Sequence, residues 1–265
     1  MGLGNDPDVP AKSTGEPVLD RAFRLLGAFS AAEERLSLTS LSVRSGLPKS
    51  TALRMASRLV ELGALERTDD GLYVIGLRLY EIASLAPRSH GLRALALPYM
   101  EDLHLATGRH VLLAVRDRHE AVLIERLSAH QAGRVMYRVG GRMPLHATGV
   151  GLALLAYAPG EVQEEILRGD LTLQPENLVR TPPELRRILA RVRVEGSATT
   201  MRPYPDPMVS VAAPIFGARK VMVAALSVVA PTGSVDAGSL RPAVVAVARA
   251  ISRQLGHRDV ETRMT

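Results

Sequence analysis

Residues 41–62 constrain the fold of this chain more than any other stretch. They read Leu-Ser-Val-Arg-Ser, then Gly46-Leu47-Pro48, then Lys-Ser-Thr-Ala-Leu-Arg-Met-Ala-Ser-Arg-Leu-Val-Glu-Leu. The pattern predicts a short helix over 41–45, a tight turn and a longer helix. Gly46 stops the first helix. Pro48 suits the first turn of the next, where its missing N–H has no partner to lose. Two helices joined by a glycine-containing turn of about three to four residues make a helix-turn-helix. In that motif the second helix enters the major groove of DNA, with its N-terminal residues at the base edges.

The flanking residues extend the pattern. Val18, Ala22, Leu25, Leu26 and Phe29 fall at helical spacing, and Thr39 is placed to cap the helix at 41–45. In the longer helix Ala52, Met55, Leu59 and Leu62 share one face, while Lys49, Ser50, Arg54, Ser57 and Arg58 point mostly away from it. Gly63 is suited to end it in a left-handed conformation. Next come two short apolar runs separated by Asp69-Asp70-Gly71, a hairpin signal. The unit therefore reads as a winged helix-turn-helix over residues 17–76, with the wing at 67–71. Lys49, Ser50, Thr51 and Arg54 are the expected groove contacts and Arg58 a backbone contact, with Arg44 and the wing residue Arg67 as further DNA-facing cations. A packing module used only for protein contacts is the plainer reading. The polar and basic outward face of the longer helix favours DNA.

Charge supports this only locally. The net charge is +6. Residues 1–97 hold 12 basic and 11 acidic residues and residues 98–265 hold 21 and 16, so the excess is not in the first unit as a whole. Between Arg35 and Glu61, however, Arg44, Lys49, Arg54 and Arg58 occur with no acid. Residues 1–16, rich in Gly, Asp and Pro, read as a disordered tail, as do 259–265. No apolar run is long enough to span a bilayer, which leaves no membrane partner to expect. The chain has no Cys, hence no disulfide and no thiolate ligand.

Residues 77–97 read as a leucine-rich linker helix. Its first part is broken at Pro87, and Pro98 restarts a helix to about Thr107. The surplus of Leu77, Leu79, Ile82 and Leu85 is placed either to pair two copies or to pack within one chain. From His110 the period changes. Residues 111–115 and 121–124 form a hairpin around 116–119, and 135–139 reads as a third strand. Residues 149–157 form a helix of small residues, and 161–168 an amphipathic one. Thr181-Pro-Pro-Glu184 is a capping box opening a helix to Gly196. Residues 209–216 and 221–229 are apolar strands. Leu240, Val244, Val247, Ile251 and Leu255 mark a last helix. Irregular alternation of this kind predicts an α+β domain over residues 98–258.

Taken in order, these residues resemble the IclR family of bacterial transcriptional regulators. The match covers about residues 17–258. It rests on Leu19-Asp20-Arg21-Ala22 with Leu25-Leu26, Gly46-Leu47-Pro48-Lys49-Ser50-Thr51 with Arg54, and Leu62-Gly63 with Leu65. In the second half it rests on Pro144-Leu145-His146-Ala147-Thr148-Gly149, Ala212-Ala213-Pro214-Ile215-Phe216 and Ala224-Ala225-Leu226-Ser227. The resemblance implies a winged helix-turn-helix, a linker helix and a C-terminal effector-binding domain of GAF-like α+β fold. It also implies a cytoplasmic homodimer or dimer of dimers on double-stranded operator DNA. A small organic effector would control it, with repression favoured over activation.

The effector region departs from the family. Thr200 stands where an acid is usual, Arg202-Pro203 replaces a Glu pair, Ser210 a Cys, Val229 a second Ser, and Leu152 a Lys. These changes argue against a compact 2-oxo acid and for a partly apolar effector such as an aromatic acid or amide. Thr200, Ser210 and Ser227 would offer hydroxyls, Gly149 and Val150 a helix start, Arg202 a carboxylate partner, and Met136 and Val229 apolar wall.

The rival reading is a hydrolase or other small-molecule enzyme carrying an accessory winged helix. None of the seven His has a close metal-ligand spacing. Gly149-Val-Gly151 is half of a dinucleotide fingerprint, so no cofactor is expected. His146 reads as a turn residue before a general base, and Ser210 lies mid-strand with no nucleophile elbow.

Overall fold

A computed structural model of the chain describes residues 16–30, 33–86, 90–129, 135–172, 179, 181–203 and 206–258. The two tails expected from the sequence, apart from Glu16, and the break at Pro87 lie outside these residues. The chain divides into two compact units, residues 1–85 and 86–265.

The first unit begins with α1 (Val18–Leu26), α2 (Leu38–Ser45) and α3 (Lys49–Glu61). The hairpin β1 (Leu65–Arg67) and β2 (Tyr73–Ile75) follows, and then α4 (Leu77–Ser84). Leu25, Leu41, Leu47, Ala52, Met55, Ala56, Leu65 and Tyr73 form its core. α2 starts three residues earlier than expected. Its cap is Ser37, whose hydroxyl accepts the Ser40 N–H at 3.1 Å, and Thr39 is inside the helix. Gly46 ends α2 at φ +64°, the left-handed conformation that glycine adopts without a Cβ penalty. Leu62, expected on the buried face of the longer helix, caps α3 and is 55% exposed; Ala56 fills the core instead. Leu36 pairs with Tyr73 through two backbone hydrogen bonds of 2.9 and 2.8 Å, which add a third chain to the wing. Gly76 lies so close to the turn after α3 that a Cβ there would stand 2.2 Å from the Gly63 carbonyl.

In the second unit α5 (His90–Thr107) runs unbroken through Pro98, which costs one helical hydrogen bond without restarting the helix. The expected linker over 77–97 is thus two helices. α4 lies in the first unit and α5 in the second. Then come β3 (His110–Asp117), β4 (Glu120–Leu127), β5 (Arg142–Pro144), α6 (Gly149–Ala156), α7 (Gly160–Arg168) and α8 (Pro182–Glu195). β6 (Ala198–Arg202), β7 (Met208–Phe216), β8 (Met222–Pro231) and α9 (Ala237–Gln254) complete it. The strands form one antiparallel sheet in the order β5-β4-β3-β8-β7-β6.

Successive side chains point to opposite faces of the sheet, and the near-continuous apolar runs of β3, β7 and β8 make both faces apolar. Leu112, Ala114, Leu123, Ala212 and Ala225 pack against α6, α7 and α8. Val111, Leu113, Val211, Leu226 and Val228 pack on the other face against α5 and α9. α6 is buried all round, every one of its residues included, which is why its sequence shows no polar stripe.

Two expectations about this unit need correction, and one strand was not expected. Residues 135–139 are not a strand. Val135 and Tyr137 rest on the α6-side core, but the strand paired with β4 is β5, reached after the Gly140-Gly141 turn. Thr181 occupies the cap position of α8, yet its hydroxyl makes no cap hydrogen bond; the two prolines that follow supply no N–H for it. Residues 198–202 form an edge strand that apolar patterning could not reveal, because Thr199, Thr200 and Arg202 dominate it.

Candidate functional sites: a recognition face and an enclosed cavity

On α3 the core takes Ala52, Met55 and Ala56, which leaves Lys49, Ser50, Leu53, Arg54, Ser57 and Arg58 on the exposed side. Thr51 is half-buried at the edge of this face. The cations differ in how free they are. Arg44 pairs with Glu33, and Arg58 with Glu61 at 2.6 Å, one turn along its own helix. Lys49 and Arg54 have no ion-pair partner among the described residues. Arg67 lies over the Tyr73 ring at 5.8 Å, a cation–π contact at the base of the wing. The wing turn is tied back by Arg35, whose Nη2 donates to both Asp70 oxygens at 2.8 and 2.7 Å. The Thr68 hydroxyl, with Arg35 beside it, holds the Asp70 carboxyl below its ordinary range. Sequence reasoning missed Leu53, which is 45% exposed in the middle of the face. An apolar residue at a polar-face position was the available signal.

The second site lies between the sheet and the N-terminus of α6. Cross-strand register places Thr200, Ser210 and Val229 in one row and Ala212 and Ser227 in the next. Thr200, Ser210 and Ser227 line a cavity of about 90 Å³, with Arg202 and Val229 on the same sheet. Gly149 and Val150 line it from α6, and Met136 from the loop before β5. All eight residues singled out from the sequence therefore meet in one cavity. Reasoning from sequence missed the apolar wall given by Leu112, Tyr137, Met143 and Met208, because β5 and the register of β6 were not readable.

The chemistry of this cavity is asymmetric. Its walls are mostly apolar, and four of the lining residues are methionines, side chains that adapt to irregular shapes. Ser227 is 1% exposed, and its Oγ has no hydrogen-bond partner among the described residues. Burial without a partner costs such a hydroxyl roughly 1–3 kcal/mol. At the start of α6, Thr148 accepts the Gly151 N–H at 3.1 Å. The N–H groups of Gly149 and Val150 have no partner among the described residues, and the helix dipole favours negative charge there. A Cβ at Gly149 would stand 2.5 Å from Ser210 Oγ and 3.4 Å from Thr200 Oγ1, so the Ser210 side chain would have to shift. The Arg202 guanidinium donates to the Asp206 carbonyl at 3.0 Å.

His146 does not line this cavity. It borders a separate groove with His119 and Glu165, and burial lowers its pKa below the ordinary value. A base paired with Ser210 or Ser227 is thus not assembled. Among the described residues there is no cluster of His, Asp and Glu able to hold a metal ion, and no helix is long and apolar enough to cross a membrane.

Comparison with known proteins agrees with this geometry. The family model described as "Bacterial transcriptional regulator IclR C-terminal" matches residues 85–257, and that described as "IclR helix-turn-helix domain" matches residues 18–69. The glycerol operon regulatory protein of Streptomyces coelicolor is 31% identical over 247 residues, covering 90% of this chain and 96% of that protein. The transcriptional repressor IclR of Escherichia coli is 29% identical over 234 residues, covering 86% and 85%. Among solved structures, an IclR homolog from Microbacterium hydrocarbonoxydans complexed with 4-hydroxybenzoate aligns at a TM-score of 0.83 and 34% identity, covering 90% of this chain and 98% of that one.

Proposed function

The chain belongs to the IclR family of bacterial transcriptional regulators, and on that premise we propose that it is a cytoplasmic repressor released or tightened on its operator by an aromatic carboxylic acid or its amide. The family is one of DNA-binding regulators and not of enzymes. The observation that carries the effector reading is the cavity under α6, with an apolar wall, one unpartnered buried hydroxyl at Ser227 and an open helix start at Gly149 and Val150. A ring carboxylate fills it consistently. The carboxylate faces the Gly149 and Val150 N–H groups and Arg202, the ring lies against Met136, Met143 and Val229, and a ring substituent meets Ser227 or Ser210. The 4-hydroxybenzoate held by the Microbacterium homolog is of this chemical class.

On the DNA side, Lys49, Ser50, Thr51 and Arg54 read the major groove. Leu53 is placed against a thymine methyl. Arg58, Arg44 and the wing residue Arg67 lie along the phosphates. The repressing sense follows the printed name of the Escherichia coli relative. Exposed apolar residues of the first unit support a homodimer: Phe23 is 74% and Tyr80 69% exposed, with Leu19, Leu77 and Ile82 also open. A second copy offering the same patch covers it.

Calorimetry with 4-hydroxybenzoate, benzamide, glyoxylate and pyruvate tests the effector reading. Micromolar binding of an aromatic member is expected. Tight binding of glyoxylate or pyruvate with no response to the aromatic compounds would sink it.

A further inference from the structure

A second cavity opens at the far end of the same sheet. Its volume is about 830 Å³, against about 90 Å³ for the effector cavity. This lies within the roughly 300–1,000 Å³ range of sites for drug-sized ligands. Leu92, Leu154 and Leu255 give it an apolar lining, and Arg116, Arg118 and Lys220 give it three cations; no carboxylate lines it.

The backbone at its mouth is unusual. Among the described residues, three non-glycine residues have positive φ: Arg118 at 54°, Arg219 at 57° and Lys220 at 60°. Arg118 is in the turn between β3 and β4. Arg219 and Lys220 are in the turn between β7 and β8. Antiparallel pairing of β3 with β8 brings these two turns to one end of the sheet. Glycine or asparagine relaxes a turn of this kind, and long side chains are disfavoured there. Strain held at such positions is characteristic of sites that use the side chain. The Arg118 and Lys220 side chains make no ion pair or hydrogen bond among the described residues. The Arg116 guanidinium donates to the Arg118 carbonyl at 2.9 Å and so braces the first turn.

We propose that this cavity is a second ligand site, for an organic anion whose apolar body is larger than a single aromatic ring. The apolar walls take the body, and Arg118 and Lys220 take the charge from two sides. The site touches the effector cavity through one element. Gly149 and Val150 at the start of α6 line the effector cavity, while Leu154 near its end and Tyr157 just beyond line this one. The separation is about 12 Å at 1.5 Å per residue. An occupant of either cavity therefore bears on the same buried helix.

The test uses 2-naphthoate and its neutral analogue 2-naphthamide on the full-length protein by calorimetry. Two fused rings suit the larger cavity, and the Ser227→Ala arm reports any binding in the effector cavity. The expected result is one 2-naphthoate per chain, weakened at least tenfold in the double variant Arg118→Gly, Lys220→Gly. Both substitutions place glycine at positive φ, so the variant should melt no lower than the parent. Lys220→Gln alone, at an exposed position, gives a second reading with a smaller loss. Binding of 2-naphthamide should be weaker and indifferent to these changes, and Ser227→Ala should leave 2-naphthoate binding intact. Equal affinity in the parent and the glycine variant overturns the proposal. So does loss on Ser227→Ala, or no binding by the parent at millimolar ligand.

Discussion

In the first unit the candidate site residues stand outside a small core; in the second they stand inside a large one. Lys49, Ser50 and Arg54 are exposed, and their neighbours Ala52, Met55 and Ala56 hold the helix that presents them. Ser227, Gly149 and Val150 are buried, and their polar groups face a cavity in place of water. The difference sets the energetics of each site. A surface cation on α3 costs little to keep without its ligand, because water solvates it. A buried hydroxyl without a partner is a standing penalty that a ligand removes. On the proposed reading the first site suits a charged polymer whose contacts are salt-dependent, and the second gains by being filled.

The largest effect that would break this contrast is expected at Gly76. An added Cβ would meet the Gly63 carbonyl at 2.2 Å, so Gly76→Ala should destabilise the first unit by about 3 kcal/mol. DNA retardation should be lost while ligand binding by the second unit survives. Loss of both would mean that the two sites do not depend on separate cores.

Next in size is Arg54→Ala, expected to cost about 1–3 kcal/mol of operator affinity if the guanidinium reads a guanine. Anisotropy titrations on operator variants measure it. Arg44→Ala and Arg58→Ala should cost less, because each cation is already shared with Glu33 or Glu61. A uniform loss across operator variants for Arg54→Ala would make it a phosphate contact and move base reading to its neighbours.

Ser227→Ala sharpens the other side of the contrast. Removing an unpartnered buried hydroxyl should leave the ligand-free protein as stable or up to about 1 kcal/mol more stable, while the aromatic effector binds more weakly. Denaturant melts with and without 4-hydroxybenzoate report both. A clear loss of stability in the ligand-free variant would show that the hydroxyl is satisfied.

The smallest effect concerns the wing. The folded Asp70 carboxyl titrates below its ordinary value, chiefly through the Thr68 hydroxyl and then through Arg35. A depressed carboxylate pKa adds stability that is fully present above the unfolded value near 3.8 and is lost as pH falls through the folded one. Protection of the wing amides, taken relative to their intrinsic exchange rates, should therefore fall below about pH 4, and Arg35→Ala should bring that fall to higher pH. Wing protection factors that are flat from pH 6 to pH 3 would remove Asp70 from this role.

How much of the molecule is readable from its residues follows the same division. The helix-turn-helix and the hairpin are local: Gly46, Pro48 and Asp70-Gly71 fix their own turns within a few residues. The differences there are of two or three residues, as at the cap, Ser37 in place of Thr39. In the second unit the long apolar strands and α6 are legible from composition alone, whereas β6 is not. Its residues are polar because an edge strand needs only one buried face, and only the register with β7 assigns it. The stretch 135–139 failed for the opposite reason. Its apolar residues pack on the core without joining the sheet, and periodicity cannot distinguish those two uses. Thr200, Ser210 and Val229 stand out as departures from the family pattern, and the strand register brings these three together. The methionine wall around them depends on long-range contacts that no local pattern carries.

One measurement bears most directly on the central claim, that a ligand under α6 controls DNA binding by α3. Operator DNA from upstream of the protein's own gene is titrated with full-length protein, with and without 4-hydroxybenzoate, in the parent and in Gly149→Ala. The parent should bind specifically and change affinity at least tenfold on adding the ligand. Gly149→Ala, whose added Cβ presses on Ser210 Oγ, should bind DNA like the ligand-free parent and ignore the ligand. An identical ligand response in the two proteins, or no specific DNA binding by the parent, would contradict the account.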